Sequence, residues 1–123
     1  MTQEQKDLLL KDLCARLPYG VKIQVGNKIE TIEGIYVPDA VIEYESFIGS
    51  NLEEVKPYLF PLSSMTEEQD KEFALLQTSA GQEGFLYAWN CANMMKWLIE
   101  NHFDYNGLIR MGLAIDATGL NIY

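Results

Sequence analysis

The 123 residues contain one histidine, two cysteines and four prolines, and only nine basic residues against 18 acidic ones. With one histidine, any serine or cysteine triad would have to use His102, and no nucleophile pattern stands beside it. Ser63 and Ser64 lie outside a G-x-S-x-G elbow, and Cys91 sits mid-helix without a protease signature. Cys14 and Cys91 are far apart and lack metal-ligand spacing; in apolar helical patterns each thiol is expected to act as a small hydrophobe. The lysines and arginines are not clustered, so direct binding to a phosphate backbone is not expected. The chain lacks a P-loop and a G-x-G-x-x-G turn. No window approaches the ~20 apolar residues of a membrane span. The N-terminal MTQEQKDLLLKDL lacks the basic start and apolar run of a signal peptide, so the cytoplasm is the expected compartment. Catalytic residues, metals and cofactors are therefore all expected to be none.

What is present is a globular composition, 48% hydrophobic. It is enough for one core and too little for two full domains, so 1–123 is expected to be a single α+β domain. The net charge of −9 favours solubility, a basic protein partner or mimicry of a polyanion. Paired acids (Glu53-Glu54, Glu67-Glu68, Glu43/Glu45) resemble a solvated loop, a helix start and a strand's outer face. Such pairs are too frequent in an acidic chain to single out a glycosidase-type site.

MTQEQ at the start and MTEEQ at Met65 to Gln69 each place a threonine three residues before a glutamine. This capping-box spacing predicts helices beginning at Thr2 and Thr66. In the first helix (1–18), Leu9, Leu10, Leu13, Cys14 and Leu17 form a stripe of 3.6-residue period, ended by Pro18 and Gly20. Leu8 points away from the stripe, among Glu4, Lys11 and Asp12, as an exposed leucine or a partner or self-association contact.

From Val21 the period becomes two, with Gly26-Asn27 as a hairpin turn. A slip between Ile29 and Ile32 suggests a bulge. Pro38-Asp39 and Gly49-Ser50-Asn51 are expected turns, and Pro57 and Pro61 place the last segment at a sheet edge or in a crossover. Residues 21–62 thus predict a small, bent antiparallel sheet, with an SH3-like or Sm-like barrel as the specific expectation. Residues 66–123 predict a helical region, with QTSAGQEG as a link. A third helix over 85–101 is apolar except for a wedge of Asn93, Lys96 and Glu100, which predicts burial between layers.

Trp89 lies on that wedge, one turn before Asn93, where an indole marks a recognition surface or packs inside the chain. Tyr58 and Phe60, between two prolines, are a second candidate patch. His102 falls just past the third helix, where an imidazole meets the last carbonyls. Asp104 is an N-cap candidate for a short helix ending near Gly112. A metal held by Glu100, His102 and Asp104 would lack diagnostic spacing.

The segments RLPYGVKIQV, VKPYLFPLSSMTEEQ and WLIENHFDYNGLIRMGLAIDATGLNIY together resemble a family of short uncharacterised proteins of gut Bacteroides-type genomes and their phages or integrated elements. The likeness covers about half the chain and leaves out the strands between Lys28 and Leu52. In the family pattern a basic residue often stands where this chain has Phe60 and Asn106. The resemblance implies a mobile-element setting and supplies no catalytic residue. The expected function is a non-enzymatic interaction module with a protein partner, without nucleic acid or membrane and with self-association left open. Leu8, Tyr58, Phe60, Trp89 and Asn93 are its candidate surface. The alternatives are an acidic DNA mimic that inhibits a nucleic-acid enzyme and, third, a small hydrolase.

Overall fold

In the computed structural model the described residues are 1–36, 40–44, 47–78 and 88–123, without the side chains of 47, 48 and 78. Helix α1 (Gln3–Arg16) begins with the predicted capping box. Thr2 Oγ1 accepts from Gln5 N at 3.1 Å, and Gln5 Oε1 accepts from Thr2 N at 3.0 Å. A 3₁₀ turn over Leu17–Tyr19 and Gly20, at φ 68°, end it. The same reciprocal pair, Thr66 with Gln69, starts α2 (Glu67–Thr78).

Between them run β1 (Lys22–Val25), β2 (Lys28–Tyr36), β3 (Val41–Tyr44), β4 (Phe47–Asn51) and β5 (Val55–Leu59). All pair antiparallel, and no helix of α type occurs among the described residues of 21–48. Gly26 and Asn27 make the expected two-residue turn, with Lys28 facing Val25. The sheet order is β4-β3-β2-β1-β5-β6, so β5 returns past three hairpin-linked strands to lie beside β1, a Greek-key-like return. A late strand, β6 (Ile115–Asp116), joins β5 in parallel. The sheet is thus mixed and open, with β4 and β6 at its edges; the expected small barrel does not close.

Several local expectations are corrected. Pairing of β1 with β2 is regular across Ile29 and stays so to Thr31, because Ile29 simply faces outward. The register shift lies further on, between Ile32 and Gly34. Gly49-Ser50-Asn51 is no turn: it belongs to β4, where Gly49 at φ 127° interrupts the register with β3. The chain turns instead in a 3₁₀ segment at Leu52–Glu54, capped by Asn51. Pro57 lies where β5 has β1 as its strand neighbour, since β6 pairs only from Tyr58 onward. The first two residues of the expected QTSAGQEG link, Gln77 and Thr78, instead finish α2, while its residues 79–84 and the Pro38-Asp39 turn lie outside the described residues.

Helix α3 (Ala88–Glu100) departs most from expectation. Only Asn90, Trp97 and Leu98 are buried on it. It packs chiefly on α2, where Asn90 Nδ2 donates to Leu76 O at 3.0 Å. The sheet is covered instead by α1 and the C-terminal turns, whose Leu9, Leu13, Leu108 and Leu113 join Val21, Ile23, Ile42 and Leu59 in one core. A second cluster of Trp97, Leu98 and Phe103 takes in Phe60 and Phe73. No helix among the described residues is long and apolar enough to cross a membrane.

Candidate functional site

Asp12 and Arg16 stand four residues apart on α1, spacing that puts both on one face. Both are fully buried. Arg16 Nε meets Asp12 Oδ1 at 2.5 Å, and one Nη reaches across the fold to Phe103 O at 2.7 Å. Asn106 Nδ2 donates to Asp12 Oδ2 at 2.9 Å, and the guanidinium lies 4.9 Å from the centre of the Tyr105 ring. A buried ion pair stands only with such further hydrogen bonds, because both charges have left water. One Arg16 nitrogen, Nη1, has no acceptor among the described residues. Burial, and the Asp12 carboxylate nearby, raise the Tyr105 phenol above its ordinary range. The ion-pair hub ties α1 to the segment that follows α3.

That segment begins at His102, the last-carbonyl position expected from the sequence, yet it ends the helix through its backbone. His102 has φ 63°, its N–H bonds Ile99 O, and Phe103 N–H bonds Leu98 O. This is a Schellman closure, with Phe103 packed near Leu98. The imidazole stacks on Tyr123 at 3.6 Å between centroids, and its Nδ1 is buried with no hydrogen-bond partner among the described residues. Burial first, then the charges of Arg16 and Lys22, push the His102 pKa down to about 4. A cationic imidazole at the helix end is therefore not what this site holds. The Tyr123 hydroxyl accepts from Lys22 N at 2.9 Å and donates to Tyr58 O at 2.7 Å. Burial raises it to about 12.

Asp104 is buried, and its two oxygens accept from Leu108 N and Ile109 N at 2.9 and 3.0 Å. The expected short helix is a series of turns closed by Gly112, at φ 76°. Phe60 and Phe103 form a parallel bridge: Phe60 N–H bonds His102 O and Asp104 N–H bonds Phe60 O, both at 2.8 Å. Beyond it the two segments separate around a groove of ≈ 650 Å³, lined by residues 61–63, 104–107, Ile109 and Arg110. No group of three histidine, cysteine or acidic side chains is placed to hold a metal among the described residues.

The five candidate surface residues separate sharply. Leu8 is half-buried and packs on the main core, not in solvent. Tyr58 is buried in β5. Phe60 lies between Phe103 and Tyr123, at 6.1 and 5.8 Å, inside an aromatic series that continues through Trp97 to Phe73. Trp89 and Asn93 alone stay at the surface, on α3. Both cysteines are exposed rather than packed. Of the paired acids, Glu53 bonds Lys6, which holds its carboxyl below the usual range, and Glu54 accepts from Asn51 N. Glu45 lies outside the described residues.

Sequence reasoning missed Asp12, Arg16, Tyr105, Asn106 and Tyr123. The i, i+4 acid–base pair was a visible signal, but it looks identical to a solvated helix-surface pair. Comparison with family models, curated proteins and solved structures finds no match.

Proposed function

We propose that the chain is a non-enzymatic protein-interaction module of phage or mobile-element origin, acting in the cytoplasm, with the outer face of α3 as its contact surface. The observation that carries this reading is Trp89, 49% exposed on a formed helix. Ala92, Asn93 and Lys96 follow it at i+3, i+4 and i+7, all exposed, so they share its face. An indole gives a large contact area with little rotamer entropy to lose, which is why tryptophan anchors many interfaces. Met95, also exposed, adds an adaptable apolar neighbour.

The partner's chemistry follows from α2, on which α3 packs. Glu67, Glu68, Asp70 and Glu72 are exposed there against one base, Lys71. A partner with an apolar pocket for the indole, rimmed by lysine or arginine, complements this layer. A DNA mimic also meets a basic partner, but through counterion release, and its affinity would fall steeply with salt.

Affinity purification with the whole chain, repeated with Trp89→Ala, followed by affinity measurement at low and high salt, separates the two. The proposal expects a partner whose affinity falls only modestly with salt, as its charged rim is screened, and is lost with Trp89→Ala. An affinity that collapses with salt and ignores Trp89→Ala makes the chain a polyanion mimic instead.

A further inference from the structure

The groove beyond the Phe60–Phe103 bridge is a second surface, built on different residues from the α3 face. It opens where two parallel segments part, between residues 61–63 and 104–107. Crevices beyond the carboxyl ends of diverging parallel strands bind ligands in open sheets, because the separating chains leave space that the sheet does not fill. One wall is held firmly. Tyr105 lies against Arg16, Asn106 is bonded to Asp12, and Asp104 is fixed by two backbone N–H groups. Such support keeps a binding surface in one shape.

One acidic and one basic side chain line the groove, and they are not equivalent. Both Asp104 oxygens are occupied by Leu108 and Ile109. Arg110 is exposed and makes no ion pair among the described residues. In a chain of net charge −9, this groove therefore presents a local cation beside the apolar walls of Leu62, Tyr105 and Ile109. A volume of ≈ 650 Å³ is within the range of ligand sites. Leu62, Ser63 and Arg110 are exposed, however, so a small molecule would keep much of its surface in water. A polypeptide segment has no need to be enclosed. We infer that the groove binds an extended acidic segment of a partner polypeptide, its carboxylate on Arg110 and a neighbouring apolar side chain against Leu62 and Ile109. The planar guanidinium suits a carboxylate bidentately.

The test selects a random-peptide display library on the full chain, then measures a synthetic peptide of the enriched sequence by fluorescence anisotropy. Aspartate or glutamate beside an apolar residue is the expected consensus. Arg110→Glu should weaken that peptide at least about tenfold, equivalent to ~1.4 kcal/mol, while leaving the urea midpoint unchanged. Changing the peptide's acid to lysine should restore binding to Arg110→Glu. Trp89→Ala should bind the acidic peptide as the parent does, so this result stands apart from that of the α3 face. No enrichment over bare support, a basic or uncharged consensus, or equal binding by Arg110→Glu overturns the inference.

Discussion

Arg16 and Asp12 share a site with no water-exposed surface, and each is the other's main counter-charge. Removing one partner leaves the other buried and uncompensated, which typically costs ~3–5 kcal/mol. Arg16→Met should therefore lower the unfolding free energy by about that much in urea titration. The pair Asp12→Leu with Arg16→Met should cost less than the two single changes summed, because no lone charge remains. A loss under about 1 kcal/mol for Arg16→Met would mean that the hub contributes little.

His102 gives the opposite pH dependence from an ordinary helix-end histidine, which stabilises by ~0.3–1 kcal/mol once charged. Its folded pKa is about 4 against 6.5 for the free side chain. The folded state binds fewer protons than the unfolded one, so the contribution is full above pH 6.5 and is lost as the pH falls toward 4. Allowing for the ring's partial exposure, roughly 1–2 kcal/mol should disappear over that window. Asparagine tolerates the same left-handed backbone. The parent minus His102→Asn difference in unfolding free energy should thus shrink on acidification. A difference that grows would restore the cationic helix-end role.

At the scale of elements, the capping boxes and the α3 surface make separate demands. Thr2→Ala and Thr66→Ala each remove the acceptor for a helix-start N–H. Each should cost ~0.5–2 kcal/mol, the lower end being apt for exposed termini. Chemical denaturation of the two variants measures this directly. Helix α3 behaves differently: its stability comes from Asn90 on Leu76, Phe73 on Trp97, and Trp97 stacked on Phe103. Its apolar circumference led the sequence reading to bury it, yet hydrophobic character does not say which element covers which. Here α1 and the C-terminal turns occupy the space over the sheet, and α3 is left to pack on α2.

Across the whole molecule, Tyr123 joins elements a hundred residues apart. Its hydroxyl ties Lys22 N on β1 to Tyr58 O on β5, while its ring stacks on His102. Tyr123→Phe keeps the stack and removes only the hydroxyl. It should cost ~0.5–1.5 kcal/mol, the usual net worth of a hydrogen bond, since Lys22 N lies at the surface and Tyr58 O is half-buried, so water can take the hydroxyl's place. Amide hydrogen exchange adds a position to that number, since the Lys22 amide should exchange faster in the variant. Unchanged protection at Lys22 would show that the bridge is not formed in solution.

Local chemistry was legible in the residues themselves. Thr2 with Gln5, Thr66 with Gln69, the Gly26-Asn27 turn and the period-two strands act over three to five residues, and their geometry follows from backbone and side-chain reach alone. His102 was placed correctly at the end of α3 for the same reason, although its mode of closure and its charge state were not. Longer-range facts were decided by packing. Asp12 and Arg16 are buried because the 102–106 segment folds over them, and no pattern within α1 carries that information. Leu8 packs inward and Cys14 outward for the same reason: the core around α1 is built from both ends of the chain. The parallel strand β6, the aromatic series from Phe73 to Tyr123 and the Arg110 groove all join residues far apart in sequence. Side-chain periodicity fixes which way a residue faces within its own element; only tertiary contact decides what it faces.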